Sequence, residues 1–252
     1  MLNVEFKEDM MNLFKRKAKL ETTSMDQGVK MITVAEPSSV NTEQFNTIRT
    51  NIEFSNVDDT IKSIVMTSAT ASEGKSTVAA NLAVAFARQG KKVLLVDADL
   101  RRPTINATFS ISNPVGLTNF LTEHSISAND IFYKTSVDNL YIIPSGPIPP
   151  NPSELMGSKR MENLIVALQE AFDLIIYDAP PVLSVTDAQI LATKVDGTIL
   201  VVRENKAEKE AVKQAVGLID HVHAKIIGTV LNDVNGENAG YYGYYGYYGK
   251  EE

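Results

Sequence analysis

The chain has 252 residues, is 44% hydrophobic, and carries a formal net charge of −7 from 24 basic and 31 acidic residues. That is enough apolar material for one large domain or two small ones, and the acidic balance argues against a nucleic-acid binder, which needs a basic face. The absence of cysteine excludes a disulfide framework, a thiol nucleophile and a thiolate metal site, and suits a cytosolic protein.

Residues 1–20 read as a basic amphipathic segment. Leu2, Phe6, Met10, Leu13 and Phe14 fall near one face, followed by Lys15, Arg16, Lys17 and Lys19. Such a segment can lie on an anionic membrane, dock on a partner, or simply pack on the domain. Its charges are not those of a secretory signal, and no apolar run approaches the roughly 20 residues that span a membrane. Residues 21–41 read as a linker. From Thr42 the texture changes. Residues 43–55 have a helical pattern with Phe45, Ile48, Ile52 and Phe54 inward, and apolar strands then alternate with amphipathic helices. Strands are expected at 63–69, 92–99, 141–146, 174–180, 197–203 and 225–233. Helices are expected at 77–90, at 153–172 with Ser153 as N-cap, and at about 187–195 and 206–223. Strands that are apolar throughout, separated by helices, indicate an α/β fold: a doubly wound, mostly parallel sheet with helices on both faces. Residues 42–233 form this domain, and 234–252 form a flexible tyrosine-rich tail. The tail holds six of the nine tyrosines in YYGYYGYYG. Its glycine period of three fits neither strand nor helix, so the phenols are free for adhesion, stacking or modification.

Three segments carry chemistry. The strand SIVMTSA runs into ATASEGKST at 69–77, a P-loop spacing with Ala69 in place of the usual glycine. Backbone N–H groups there cradle phosphates, Lys75 supplies positive charge, and the Ser76 hydroxyl ligates magnesium. LLVDADLRRP places Asp97 and Asp99 at one strand end, on the same side of an extended chain. LIIYDAPP places Asp178 at another. Strand C-termini of a parallel sheet share the edge where ligands bind, and three carboxylates around one Mg–nucleotide would repel unless the metal neutralises them. The proline-rich stretch 144–158 leads to the same edge.

Together these segments resemble the bacterial tyrosine kinases of the capsular and exopolysaccharide biosynthesis regulator family, over roughly residues 40–252. The motifs are ATASEGKST, LLVDADLRRP, LIIYDAPP with VTDA at 185–188, SGPIPPNPSEL and the tyrosine cluster. The resemblance implies a P-loop NTPase fold and an autokinase dependent on ATP and Mg2+. Such an enzyme phosphorylates Tyr241, Tyr242, Tyr244, Tyr245, Tyr247 and Tyr248, between subunits, and regulates polysaccharide synthesis and export. It implies that Ala71, Ser72, Glu73, Gly74, Lys75, Ser76 and Thr77 bind the nucleotide, with Asn232 as adenine contact. Ser76, Asp97 and Asp178 would hold the metal, and Asp97, or else Asp99, would take the tyrosine proton. It implies a separate cytoplasmic chain, recruited to the inner face of the cell membrane and activated by a membrane protein's cytoplasmic tail. It also implies self-association, as a ring in the family, and an opposing tyrosine phosphatase. One departure bears on the ring. The family's early helix often carries Glu, Arg and Arg at spacing three, and here Glu43 and Arg49 match while Asn46 replaces the first arginine. The competing reading is a positioning ATPase that uses the tail for docking. Those relatives carry a second lysine where this chain has Thr70.

Overall fold

The structure, a computed structural model, describes residues 23–55, 60–112 and 114–234. The expectations for residues 1–20 and for the six tail tyrosines lie outside these residues. The strands are β1 (Ser63–Ser68), β2 (Val93–Asp97), β3 (Tyr133–Lys134), β4 (Leu140–Ile143), β5 (Leu174–Asp178), β6 (Gly197–Arg203) and β7 (Ile226–Asn232). They form one seven-stranded sheet in the order β3-β4-β2-β5-β1-β6-β7, parallel except for β3 against β4. This is the doubly wound sheet expected from the apolar runs.

The described helices are α1 (Thr23–Gln27), α2 (Ile32–Ala35), α3 (Val40–Phe54), α4 (Lys75–Arg88), α5 (Ile105–Thr108), α6 (Leu117–Thr122), α7 (Pro152–Gly157), α8 (Lys159–Ala171), α9 (Asp187–Ala192) and α10 (Lys209–His221). A 3-10 turn covers Ala128–Ile131. The strand residues divide by their period of two. Val65, Leu94, Val96, Ile175 and Tyr177 face one core with Met161, Leu164, Ile165 and Leu168 of α8. Ile64, Met66, Val93, Leu95 and Ile176 face the other, under the alanine-rich α4.

Several local expectations are corrected. The stretch read as a linker folds onto the domain as α1 and α2. The Thr33 N–H and hydroxyl both donate to Asn81 Oδ1, at 2.9 and 3.0 Å. Helix α4 begins at Lys75 rather than Thr77, because Gly74 at φ +90° ends the loop just before it. The helix expected over 153–172 is two helices. Pro152, which has no N–H to lose, starts the first. Ser158, in extended backbone, caps the second by accepting from Met161 N at 3.2 Å. Ser153 is therefore not a cap, and its hydroxyl donates to Asp187. Phe54, expected inward, is 76% exposed at the end of α3, while Ile52 is buried. The strand expected through Asp99 leaves the sheet after Asp97, and α5, α6 and β3 fill a stretch without an expected element.

Candidate nucleotide site

The C-terminal strand edge holds a cavity of about 340 Å³, lined in part by Ala71, Ser72, Gly74, Lys75, Ser76, Thr77, Asp99 and Asn232. The loop that forms its floor is tightly specified. Ser72 sits at φ +63° and Gly74 at φ +90°, so successive N–H groups turn toward one concavity, the anion-binding arrangement of a backbone nest. A side chain at Gly74 would place a Cβ 2.0 Å from Asn232 Nδ2, and that amide donates to Glu73 O at 3.0 Å. Asn232 therefore buttresses the loop from the end of β7. Glu73, expected among the nucleotide-binding residues, is fully buried and does not line the cavity. Its Oε1 accepts from Thr70 N at 2.6 Å and from the Thr70 hydroxyl at 2.8 Å. Thr70 thus staples the loop internally, and its place holds no cation.

Lys75 is the electrostatic centre. Its ammonium lies 2.8 Å from Asp99 Oδ2 and 3.4 Å from Asp178 Oδ1. Burial alone would weaken its hold on the proton, but attraction by Asp178 and Asp99 overrides this and raises its pKa. Asp97 and Asp178 face each other across the β2–β5 pairing. Burial raises the pKa of both acids. For Asp97 the Asp178 charge adds to the rise, whereas for Asp178 the Lys75 charge opposes it. The pair differs from Asp99 in placement. Asp97 is fully buried and does not line the cavity. Its Oδ2 accepts from the Thr104 and Ile105 N–H groups, both at 3.0 Å, because the chain curls into α5 there instead of continuing extended. Asp99 does line the cavity, and Arg101 N and Arg102 N donate to its Oδ1.

Two buried carboxylate oxygens, Asp97 Oδ1 and Asp178 Oδ2, have no partner, and the Ser76 hydroxyl lies 3.3 Å from Lys75 Nζ. Among the described residues no three His, Cys, Asp or Glu side chains converge as a metal cage. The set suits a magnesium ion, which takes one or two carboxylates and shares the remaining positions with phosphate and water.

Beside the cavity, three of the sequence motifs are tied together in a way their spacing does not announce. The Arg101 guanidinium forks onto buried Asp187, at 2.9 and 3.2 Å, and reaches Ser153 Oγ at 3.0 Å. This bracing links LLVDADLRRP, PNPSE and VTDA.

Comparison with known proteins places this geometry. A family model described as AAA domain matches residues 61–232. The tyrosine-protein kinase YwqD of Bacillus subtilis (strain 168) is 48% identical over 202 residues, 80% of this chain and 85% of that protein. The chain belongs to the bacterial tyrosine-protein kinases. The solved chimerical protein CapA2B2 is 41% identical to this kinase, with a TM-score of 0.78 over 81% of this chain and 89% of that one. The septum site-determining protein MinD from Pyrococcus horikoshii OT3, solved with Mg-ADP, is 25% identical, with a TM-score of 0.59 over 71% and 75% of the two chains. The P-loop fold is thus shared with both groups, and the sequence likeness is to the kinases. No described helix of this kinase is long and apolar enough to cross a membrane.

Proposed function

We propose that this kinase transfers the γ-phosphoryl group of ATP, with Mg2+, to the tyrosines at 241–248, and that transfer runs between subunits. The observation that carries the reading is Lys75 set among Asp97, Asp99 and Asp178 at the mouth of a P-loop. Lys75 would bind the phosphates. Ser76 and Asp178 would hold the metal, which supplies charge neutralisation on the transferring group. The nucleotide would rest on Ala71–Thr77, with Glu73 bracing the loop and Asn232 beside the adenine. An ordinary phenol has a pKa near 10, so a carboxylate must take its proton. We assign this to Asp97, whose Oδ1 is unpartnered and whose proton affinity burial has raised. Asp99 is already neutralised by Lys75.

The choice of acceptors has support within the fold. Three tyrosines lie outside the tail. Tyr177 is fully buried, and burial makes its phenol harder to ionise. Tyr133 bonds the Val115 backbone, and Tyr141 packs edge-on against Phe172. The tail phenols, in a glycine-spaced segment, are the ones a site can be expected to reach. By the same reading, the chain works in the cytoplasm at the membrane's inner face. A membrane protein's cytoplasmic tail activates it in control of capsule or exopolysaccharide synthesis, and a tyrosine phosphatase reverses the modification.

The test is incubation with Mg-ATP, alone and with a candidate activator tail, followed by mass spectrometry. Phosphate on Tyr241–Tyr248 is expected, absent in Lys75→Met and Asp97→Asn and in a truncation after residue 239. ATP hydrolysis without tyrosine phosphate in any condition would instead indicate the positioning-ATPase reading. Thr70, bonded to Glu73 where those relatives carry lysine, weighs against that outcome.

A further inference from the structure

Ser24, Met25 and Val29 line the same cavity as the P-loop, although two helices and a strand separate them from it. The segment is held there at three points. Gly28 has φ +75°, and a Cβ on it would stand 2.5 Å from the Thr108 backbone, so only glycine permits this approach to α5. Val29 N donates to Thr108 Oγ1 at 3.0 Å. Further along, the fully buried Asn81 spends all its capacity on the junction. Its Oδ1 accepts twice from Thr33, and its Nδ2 donates to Lys30 O and Thr77 O, at 2.8 and 2.9 Å. The Arg88 guanidinium closes the row by donating to Thr33 O. A buried amide with every site satisfied fixes one arrangement of its neighbours. Here the neighbours are the upstream segment and the first turn of α4, where Thr77 lines the cavity.

We propose that residues 24–30 are part of the nucleotide site and form the wall against which the sugar and base of a bound nucleotide rest. The inference rests on the nucleotide-binding reading above. The phosphate half of the cavity is supplied by loop N–H groups and Lys75. The larger apolar side chains on its surface are Met25, Val29 and Pro181. Pro181 comes three residues after Asp178, on the chain leaving β5 beside the carboxylates. Met25 and Val29 are what remains for the flat, weakly polar nucleoside. The segment also touches the chemistry indirectly, because α5, on which it lies, is the helix whose first N–H groups hold Asp97.

Calorimetric titration of the full chain with Mg-ADP and, separately, with magnesium pyrophosphate tests this. Met25→Ala leaves the backbone anchors alone and should weaken ADP about fivefold by loss of apolar contact. Gly28→Val, which lifts the segment off α5, should weaken it by about tenfold or more. Magnesium pyrophosphate, held by the P-loop and the metal-binding side chains, has no sugar or base to rest on residues 24–30 and should bind all three chains equally. Thermal melting establishes that each variant is folded. Unchanged ADP affinity in both variants would overturn the proposal. So would a parallel loss for ADP and pyrophosphate, which would place the effect in the phosphate loop. If the parent chain bound neither ligand while remaining folded, the nucleotide reading itself would fall, and this proposal with it.

Discussion

Asp97 is a carboxylate that the fold tolerates at a cost. It is fully buried, faces Asp178 across one strand pairing, and has one oxygen without a partner. Its native pKa is raised above the unfolded value, so the native state binds the proton more tightly. The contribution of Asp97 to stability is then most favourable below the unfolded pKa of about 3.9 and falls as pH rises through the raised native value. Asn at this position can still accept from the Thr104 and Ile105 N–H groups and can turn its amide toward Asp178. Metal-free Asp97→Asn should therefore be about 1 kcal/mol more stable than the parent at pH 7, with the difference vanishing near pH 4. Urea titrations at the two pH values measure this. A less stable variant at pH 7 would mean that Asp97 is ionised and usefully paired in the metal-free protein.

At the scale of elements, the fold was legible where local pattern and tertiary role coincide. Strands buried on both faces are apolar throughout, and the P-loop declares its turn by Gly74 and its helix by the alanine-rich run after Thr77. The strand–helix alternation, the loop and the strand-end aspartates Asp97 and Asp178 could all be read in this way, whereas Asp99 lies past the end of its strand. Local pattern could not show partnerships made far along the chain. Residues 23–36 look like a linker because they lack periodicity, yet Gly28 and Thr33 have partners at Thr108 and Asn81. A lone Asn81 amid apolar helix residues was the available signal. The Arg101–Asp187–Ser153 brace is similar: each residue lies in a recognisable motif, and the contact belongs to none of them alone. Asp187 is almost wholly buried and depends on the planar Arg fork. Arg101→Lys should lower stability by about 1–3 kcal/mol, readable as a reduced urea midpoint, whereas Arg102→Lys, with no such fork, should not.

At the scale of the whole molecule, the α3 row that the family resemblance assigns to self-association is already partly engaged within one chain. Asn46 Nδ2 donates to Glu43 Oε1, and Arg49 donates to Asn46 Oδ1 and to Ala85 O. The row that would reach a neighbouring subunit is closed on itself in one chain. Asn46→Arg should free Arg49 from Asn46 Oδ1, add a second cation to the row and raise the assembly mass seen by light scattering. Phosphorylation of all six tail tyrosines should lower it, since each adds about −1.5 to −2 charges to a chain at −7, and added salt should restore part of the loss. A mass indifferent to both changes would remove the α3 row and tail charge as determinants of assembly.

The chain leaves the sheet through Asn232 under the P-loop and Asp233, which lines the cavity and is held by Arg203 at 2.8 Å. On the proposed reading, the tyrosines are therefore tethered to the doorway of the site that would modify them, eight residues beyond Asp233 at the nearest. Within one chain or one assembly, such a leash presents its acceptors at an effective concentration of order millimolar. A free tyrosine peptide would have to approach that concentration to compete. Selectivity can then come from attachment rather than from the residues around each tyrosine, which explains how a run as repetitive as YYGYYGYYG could serve as a substrate.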